Sequence, residues 1–570
     1  MPQLPCKYLG LLGAFILSTG VSGALVPRQS GAPTVSVKNG SYYGLHNPTY
    51  DQDLFLGIPF AQPPVGDLRF NIPMPLNSTW NATKNATQYS YECYGYGSDT
   101  WVLGNPVSED CLTLNVIRPS GTGPNDKLPI GVWIYGGGGY NGGSLDPRYN
   151  LSYIVQQSVE MGQPFIGVSI NYRLQAFGFI FGTEILKAGA TNLGYRDQRM
   201  GLQWLQENIG AFGGDPTKVT IWGESAGASS VGVHLTAYGG RDDKLFRAGI
   251  MESGAPVGAS RYLNASTWDI YYNNITKATN CSSASDTLAC LRSLPIETLS
   301  TVLNSSVTAQ VPAWGAQIDN DLLTESGTQQ LLTGKFVKVP ILHGTNFDEG
   351  TAFGTKGINT TQQFLLNVMS AGPNSTTAQT IAALYPDIPA IGIPATLPGR
   401  PTGPEAFLGA QYKRECSYAG DLIMHAPRRL TSQVWASNNV SSWSYHFNVL
   451  VNGAGPTTGA THFEEVVFVF HNLQGGGYNT SVAVDPLANE PPTYDDLATI
   501  MSRFWVSFIA ENDPNGSNAT SVHWPAYNLT TPQNIVFDTN VTNLLYAEAD
   551  YYRAEGIQYI EARFVSVYGR

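Results

Sequence analysis

Charge is what this sequence has little of. Only 13% of its residues are Asp, Glu, Lys or Arg, and 31 basic residues face 43 acidic ones, for a formal net charge of −12. That balance leaves no basic patch to neutralise phosphates, which argues against nucleic acid or an anionic membrane as partner. Cysteine is scarce too, with six in 570 residues. No cluster of cysteine and histidine shows metal-ligand spacing, so no metal is expected. Beyond the amino terminus no apolar run is long enough to span a bilayer, and the mature protein is expected to be soluble. No repeat, linker or break in composition divides the chain.

What is there suffices for a large core: 42% of residues are hydrophobic and 11% aromatic. This length fits one large α/β enzyme with loops inserted into a single sheet. Lys7 precedes an apolar run from Tyr8 to Gly23, and Ser22, Gly23 and Ala24 supply small residues for cleavage. A signal peptide over about residues 1–24 is expected, leaving 25–570 as a single catalytic domain. About seventeen N-x-S/T sequons, among them Asn77, Asn81, Asn85, Asn274, Asn359 and Asn528, agree with secretion and N-linked glycans. With Cys6 in the signal, Cys93–Cys111 and Cys281–Cys290 are the economical pairs in an oxidising compartment. Each would stabilise by roughly 3 kcal/mol. Cys416 is left over as a buried free thiol.

The most informative stretch is Val219 to Gly227, VTIWGESAG. A β-branched and aromatic run reads as a short buried strand. Gly223-Glu224-Ser225-Ala226-Gly227 follows, then helix formers from Ala228 to Leu235. A strand turning into a helix through G-x-S-x-G is a nucleophile elbow, which lifts Ser225 on a strained turn. The other reading is a tight β–α turn with a serine capping the helix.

Around it, residues 34 to 60 alternate β-formers with turn residues as in a small antiparallel meander. The prolines and glycines of Gly57 to Phe70 make a rigid connection. Apolar strands are expected from Ser108–Val116, at Ile130–Tyr135, Phe165–Asn171, Ala248–Met251, Pro340–His343, Trp443–Leu450 and Asn534–Phe537. Leu202, Leu205 and Ile209 predict a helix over Tyr195–Ile209. Strands alternating with helices indicate an α/β fold with a large, mostly parallel sheet covered on both faces.

A serine hydroxyl needs a positioned base, the base an orienting carboxylate, and the developing oxyanion backbone N–H donors. In the order serine, acid, histidine, only His425, His446, His462, His471 and His523 lie far enough downstream. His462 sits in the glycine-rich GAGPTTGATHFEE after a predicted strand, where a catalytic imidazole has to be. His446 falls inside a strand and His425 inside a helix, so both read as structural. For the acid, Glu349 and Asp348 share one turn in GTNFDEG, and the residues alone leave both open. Gly136 to Gly139 end a strand and can turn successive N–H groups into a site.

Taken together, GIPFAQPPVGDLRF, SEDCLTLNV, WIYGGGG, NYRLQAFGF, NLGYRDQR, ENIGAFGGDP, GESAGA, GTNFDEG, FWVSFIAENDPN and WPAY resemble the type-B carboxylesterase/lipase family, in that family's order and across nearly the whole mature chain. The resemblance implies an α/β-hydrolase fold with Ser225 as nucleophile, Glu349 as acid and His462 as base. It implies oxyanion donors at Gly137, Gly138 and Ala226, and supporting carboxylates at Glu224 and Glu465. It also matches both cysteine pairs to family disulfides and requires no cofactor. One position departs: the family usually carries an aromatic after its third oxyanion glycine, whereas here Gly139 precedes Tyr140.

The expected activity is secreted carboxylic ester hydrolysis through an acyl-enzyme. The alternatives are a true lipase acting on triglycerides or sterol esters and, from another class, a non-catalytic adhesion protein on the same fold. The Cys93–Cys111 loop has seventeen residues between its cysteines, including Glu109, Asp110 and three glycines. Its aromatics, Tyr94, Tyr96 and Trp101, with Val102 and Leu103, read either as a lid or as a packed surface loop. They cannot form a long amphipathic flap, so soluble short- to medium-chain or aryl esters are the expected substrates.

Overall fold

Strands that are apolar on both faces must be covered on both faces, and that requirement arranges this chain. The computed structural model describes residues 31–97, 103–480, 483–517 and 520–570. The expected signal segment, Trp101 and Val102 lie outside the described residues. Residues Pro33–Arg570 form one compact unit.

β1 (Leu45–Asn47) pairs antiparallel with β2 (Gln52–Pro59), which pairs antiparallel with β3 (Thr113–Pro119). β4 (Leu128–Ile134) and β5 (Ile166–Ile170) run parallel to each other, with β5 antiparallel to β3. From β4 the sheet continues in parallel through β6 (Gly214–Glu224), β7 (Ala248–Glu252), β8 (Ile341–Asn346), β9 (Ser442–Phe447) and β10 (Gln533–Phe537). β11 (Leu545–Ala549) closes the edge antiparallel. The eleven-stranded sheet therefore has a parallel centre between antiparallel edges.

The meander divides. Thr34–Val37 and Gly40–Tyr43 form a hairpin that takes Lys84–Asn85 as a parallel third strand, while β1 and β2 join the main sheet. β2 has its first five residues buried and so cannot remain in a half-exposed hairpin. β6 begins at Gly214 rather than Val219, with a register shift between the two. The proline-started strand begins at Ile341 and runs on to Asn346, and β9 stops at Phe447, freeing the loop that carries His462.

Helices α1 (Leu193–Asn208), α2 (Ala226–Gly240) and α3 (Thr493–Glu511) pack on the centre of the sheet. Glycines on neighbouring pleats show the two layers. A Cβ on Gly131, paired with Thr220, would lie 3.0 Å from Ile509 of α3. One on Gly249, paired with Ile221, would meet Val231 of α2 at 3.0 Å. Successive residues face opposite sides, so α2 and α3 cover opposite faces. On the α3 side Trp133, Trp222 and Phe470 pack with ring centroids 4.7 to 4.8 Å apart. That stack locks the strand leading to Ser225 against the segment following His462.

Cys93 is joined to Cys111 and Cys281 to Cys290, and Cys416 is a buried free thiol. No helix among the described residues is long and apolar enough to cross a membrane.

Candidate active site

β6 ends at Glu224, and Ser225 takes φ +55° and ψ −119° before α2 begins at Ala226. A side chain at positive φ is strained and persists only where its surroundings over-determine it. Here they do. A Cβ on Gly223 would lie 2.5 Å from the Gly227 backbone, and one on Gly227 2.0 Å from the Ile134 carbonyl. Both glycines are required by close approach. The Ser225 N–H donates to the Glu252 carbonyl at 2.8 Å, and the Ser225 side chain makes no capping bond to α2. Ser225, Gly138 and Ala226 together border a cavity of about 340 Å³.

The glycine run reaches the elbow for the same steric reason. Gly137, Gly138 and Gly139 all have positive φ, between +65° and +87°. A Cβ on Gly136 would fall 2.6 Å from the Glu224 carbonyl, and one on Gly137 2.2 Å from that of Asn141. Of Gly137 and Gly138, the latter lines the cavity.

β8 leads into the turn that carries Asp348 and Glu349. Glu349 Oε2 lies 2.8 Å from His462 Nδ1, while its Oε1 accepts the Asn346 N–H at 2.9 Å and the Ser253 hydroxyl. Asp348 turns away and accepts the Ala460 N–H at 2.9 Å, holding the base of the histidine loop. Burial pushes its carboxyl up to about 7. The structure thus brings Glu349, and not Asp348, against the imidazole. His462 Nε2 lies 3.2 Å from Glu224 Oε1, an ion-pair distance at which that oxygen makes no aligned hydrogen bond. The Phe353 ring packs edge-on against the imidazole at 4.8 Å.

Glu465 accepts from Asn346 Nδ2 at 2.6 Å and from Ser253 Oγ at 3.5 Å. Glu252, at the end of β7, accepts the indole N–H of Trp222 and that of Trp505, the latter at 2.6 Å. Sequence reasoning missed Glu252, Ser253 and Asn346; the available signal was polar residues closing otherwise apolar strands. Four buried carboxyls thus form one cluster: Glu224, Glu349 and Glu465 act on the His462 imidazole, and Glu252 adjoins Glu224 and Glu465. They cannot all ionise together. Burial pushes Glu224 and Glu252 well above the carboxylate range, and burial with the Glu349 charge pushes Glu465 up to about 7. Burial alone draws His462 down, but Glu224, Glu349 and Glu465 outweigh it and push the imidazole up to about 10. Because burial keeps part of the proton on Glu224, Glu349 is the firmer cause of that upward shift.

His425 and His446 are occupied elsewhere, at 3.0 Å from the Thr345 hydroxyl and 2.7 Å from Glu548 respectively; His471 pairs with the Thr499 hydroxyl at 3.1 Å. Among the described residues, no group of three or more histidines, cysteines or carboxylates is arranged to hold a metal ion.

The known proteins this chain is similar to include esterases and lipases. The model of the carboxylesterase family matches residues 31–555. "Lipase 2" of Geotrichum candidum is 34% identical, over 91% of this chain and 93% of its own. "Secreted lipase 1" of Botryotinia fuckeliana is 34% identical over 88% of each chain. The crystal structure of Aspergillus niger EstA superposes with a TM-score of 0.78 at 26% identity, covering 94% of this chain and 98% of EstA. This chain has the α/β-hydrolase fold of those esterases and belongs to the carboxylesterase family, whose members hydrolyse carboxylic esters.

Proposed function

We propose that the chain is a secreted, N-glycosylated carboxylesterase in which Ser225 is the nucleophile, His462 the general base and Glu349 the acid that orients it. The observation that carries this reading is the 2.8 Å contact from Glu349 to His462 Nδ1, with Nε2 directed to the residue adjoining Ser225. A carboxylate on Nδ1 fixes the tautomer that leaves Nε2 as acceptor, and Nε2 is not committed to Glu224. Neutral His462 takes the Ser225 proton as Oγ adds to the ester carbonyl. The N–H groups of Gly137, Gly138 and Ala226 meet the oxyanion, whose stabilisation is the largest single contribution in acyl transfer. The imidazolium then protonates the departing alcohol. Water, deprotonated by the same imidazole, releases the acid and frees Ser225.

Soluble short- to medium-chain or aryl esters are the proposed substrates. A cavity of about 340 Å³ is near the lower end for small-ligand sites. The described part of the Cys93–Cys111 loop is also pinned. The Tyr96 hydroxyl donates to Ser300 at 2.7 Å, and its N–H to the Tyr140 carbonyl at 2.8 Å. Glu109 is held by a buried two-pronged pair with Arg69, at 2.6 and 2.8 Å. The described parts of the loop, tied this way, do not swing open as a flap. The names of the fungal relatives favour a second reading, a lipase acting on glycerides. Turnover of p-nitrophenyl butyrate tests the chemistry: it should vanish in Ser225→Ala, and its survival there would refute the assignment.

A further inference from the structure

The wall of the cavity beside Ser225 is mixed. Trp314, Phe353, Ile423 and Met424 give it an apolar side, and Ser260, Arg261 and Gln317 a polar one. Arg261 is the cationic member of this wall. Its Nη2 donates to the Val567 carbonyl at 2.8 Å and its Nε to the Tyr568 carbonyl at a long 3.4 Å. Gly372 lies so close that a Cβ there would come 2.6 Å from Nη2. The guanidinium is therefore held in place by backbone, and no carboxylate of the described residues pairs with it. A second cation reinforces the field. Arg570 donates from Nη1 at 3.0 Å to the carbonyl of Leu422, the residue before the lining residues Ile423 and Met424. Burial draws it down to about 10, so it stays charged at neutral pH.

A fixed, water-accessible arginine without a counter-ion, in a chain with a net charge of −12, invites an anionic ligand with a planar, two-oxygen face. The cavity is the acyl side of the site. Ser225, Gly138 and Ala226, where the carbonyl must sit, line it, whereas His462, toward which the alcohol departs, does not. We propose that Arg261 is a specificity-determining residue that selects esters whose acyl chain ends in a carboxylate, namely monoesters of short dicarboxylic acids. This rests on the assignment of Ser225 as nucleophile and adds the substrate class.

The test compares p-nitrophenyl hydrogen adipate with p-nitrophenyl hexanoate, chains of equal length with and without the terminal charge. The quantity read is the ratio of their kcat/KM values at pH 7.5. Both are measured on one preparation, so the ratio is insensitive to the fraction of folded enzyme. A charge-assisted pair lost in Arg261→Gln should lower the ratio about tenfold. Arg261→Glu should lower it further, and Arg261→Lys should retain the larger part. Hexanoate turnover with a ratio unchanged within about twofold in Arg261→Gln would overturn this inference alone. Turnover of neither ester by the unmodified enzyme would remove the Ser225 assignment and this inference with it.

Discussion

Glu224→Gln isolates the electrostatics of the site, because it removes an ionisable carboxyl beside His462 while keeping the side chain's shape. Glu224 Oε1 lies 3.2 Å from Nε2. At an effective dielectric constant of about 20, a full charge at that distance favours the imidazolium by about 5 kcal/mol, close to four pH units. That is an upper bound, since burial pushes Glu224 toward its protonated form and the two groups titrate as a pair. What remains is a downward move of the imidazole when Glu224 is replaced. The sign follows from the chemistry: the base must be neutral, and a raised imidazole moves the acid limb of activity to higher pH. The unmodified enzyme should therefore lose kcat/KM for p-nitrophenyl butyrate as pH falls, with a midpoint above the ordinary histidine value of about 6.5. Glu224→Gln should shift that midpoint down. Profiles from pH 5 to 10.5, corrected for spontaneous hydrolysis, measure both. An unmoved midpoint, or one that rises, would refute the claim that Glu224 charges the imidazole.

Glu349→Gln should lower kcat at least about a hundredfold, because the triad acts as a unit. Asp348→Asn, which touches the loop backbone and not the imidazole, should be far milder in the same assay. Trp222→Ala removes the centre of the aromatic stack and one donor to Glu252, and should cost about 3 to 5 kcal/mol of stability in a denaturant titration. A loss below about 1 kcal/mol would show that the stack is not what holds the elbow strand. With tributyrin, the rate should rise smoothly across the solubility limit; a sharp jump there would favour the lipase reading.

The elbow was legible because chemistry imposes an odd composition on it: glycines on both sides of Ser225 where any Cβ would strike backbone. The histidine loop was legible for a similar reason, as a glycine-rich segment following an apolar strand. The choice between Asp348 and Glu349 was not, since they are neighbours on one turn. Only their directions, one toward the Ala460 N–H and the other toward His462, separate them. Glu252 lies one residue past the strand expected at Ala248–Met251, and its contact with two indoles depends on how β6, β7 and α3 pack. The start of β6 was misjudged because Gly214 pairs with β4 across a register shift that no periodicity announces. The cavity wall joins Arg261, Trp314 and Ile423 from distant segments, so nothing local in any of them marks it.

The central claim is that Ser225 is the residue acylated during turnover. The enzyme should be treated with a fluorophosphonate at pH 8 and the intact protein and its proteolytic peptides weighed. The account predicts one adduct, located on Ser225, with esterase activity lost in proportion to labelling. An adduct on any other residue, or full labelling of Ser225 with activity intact, would contradict it.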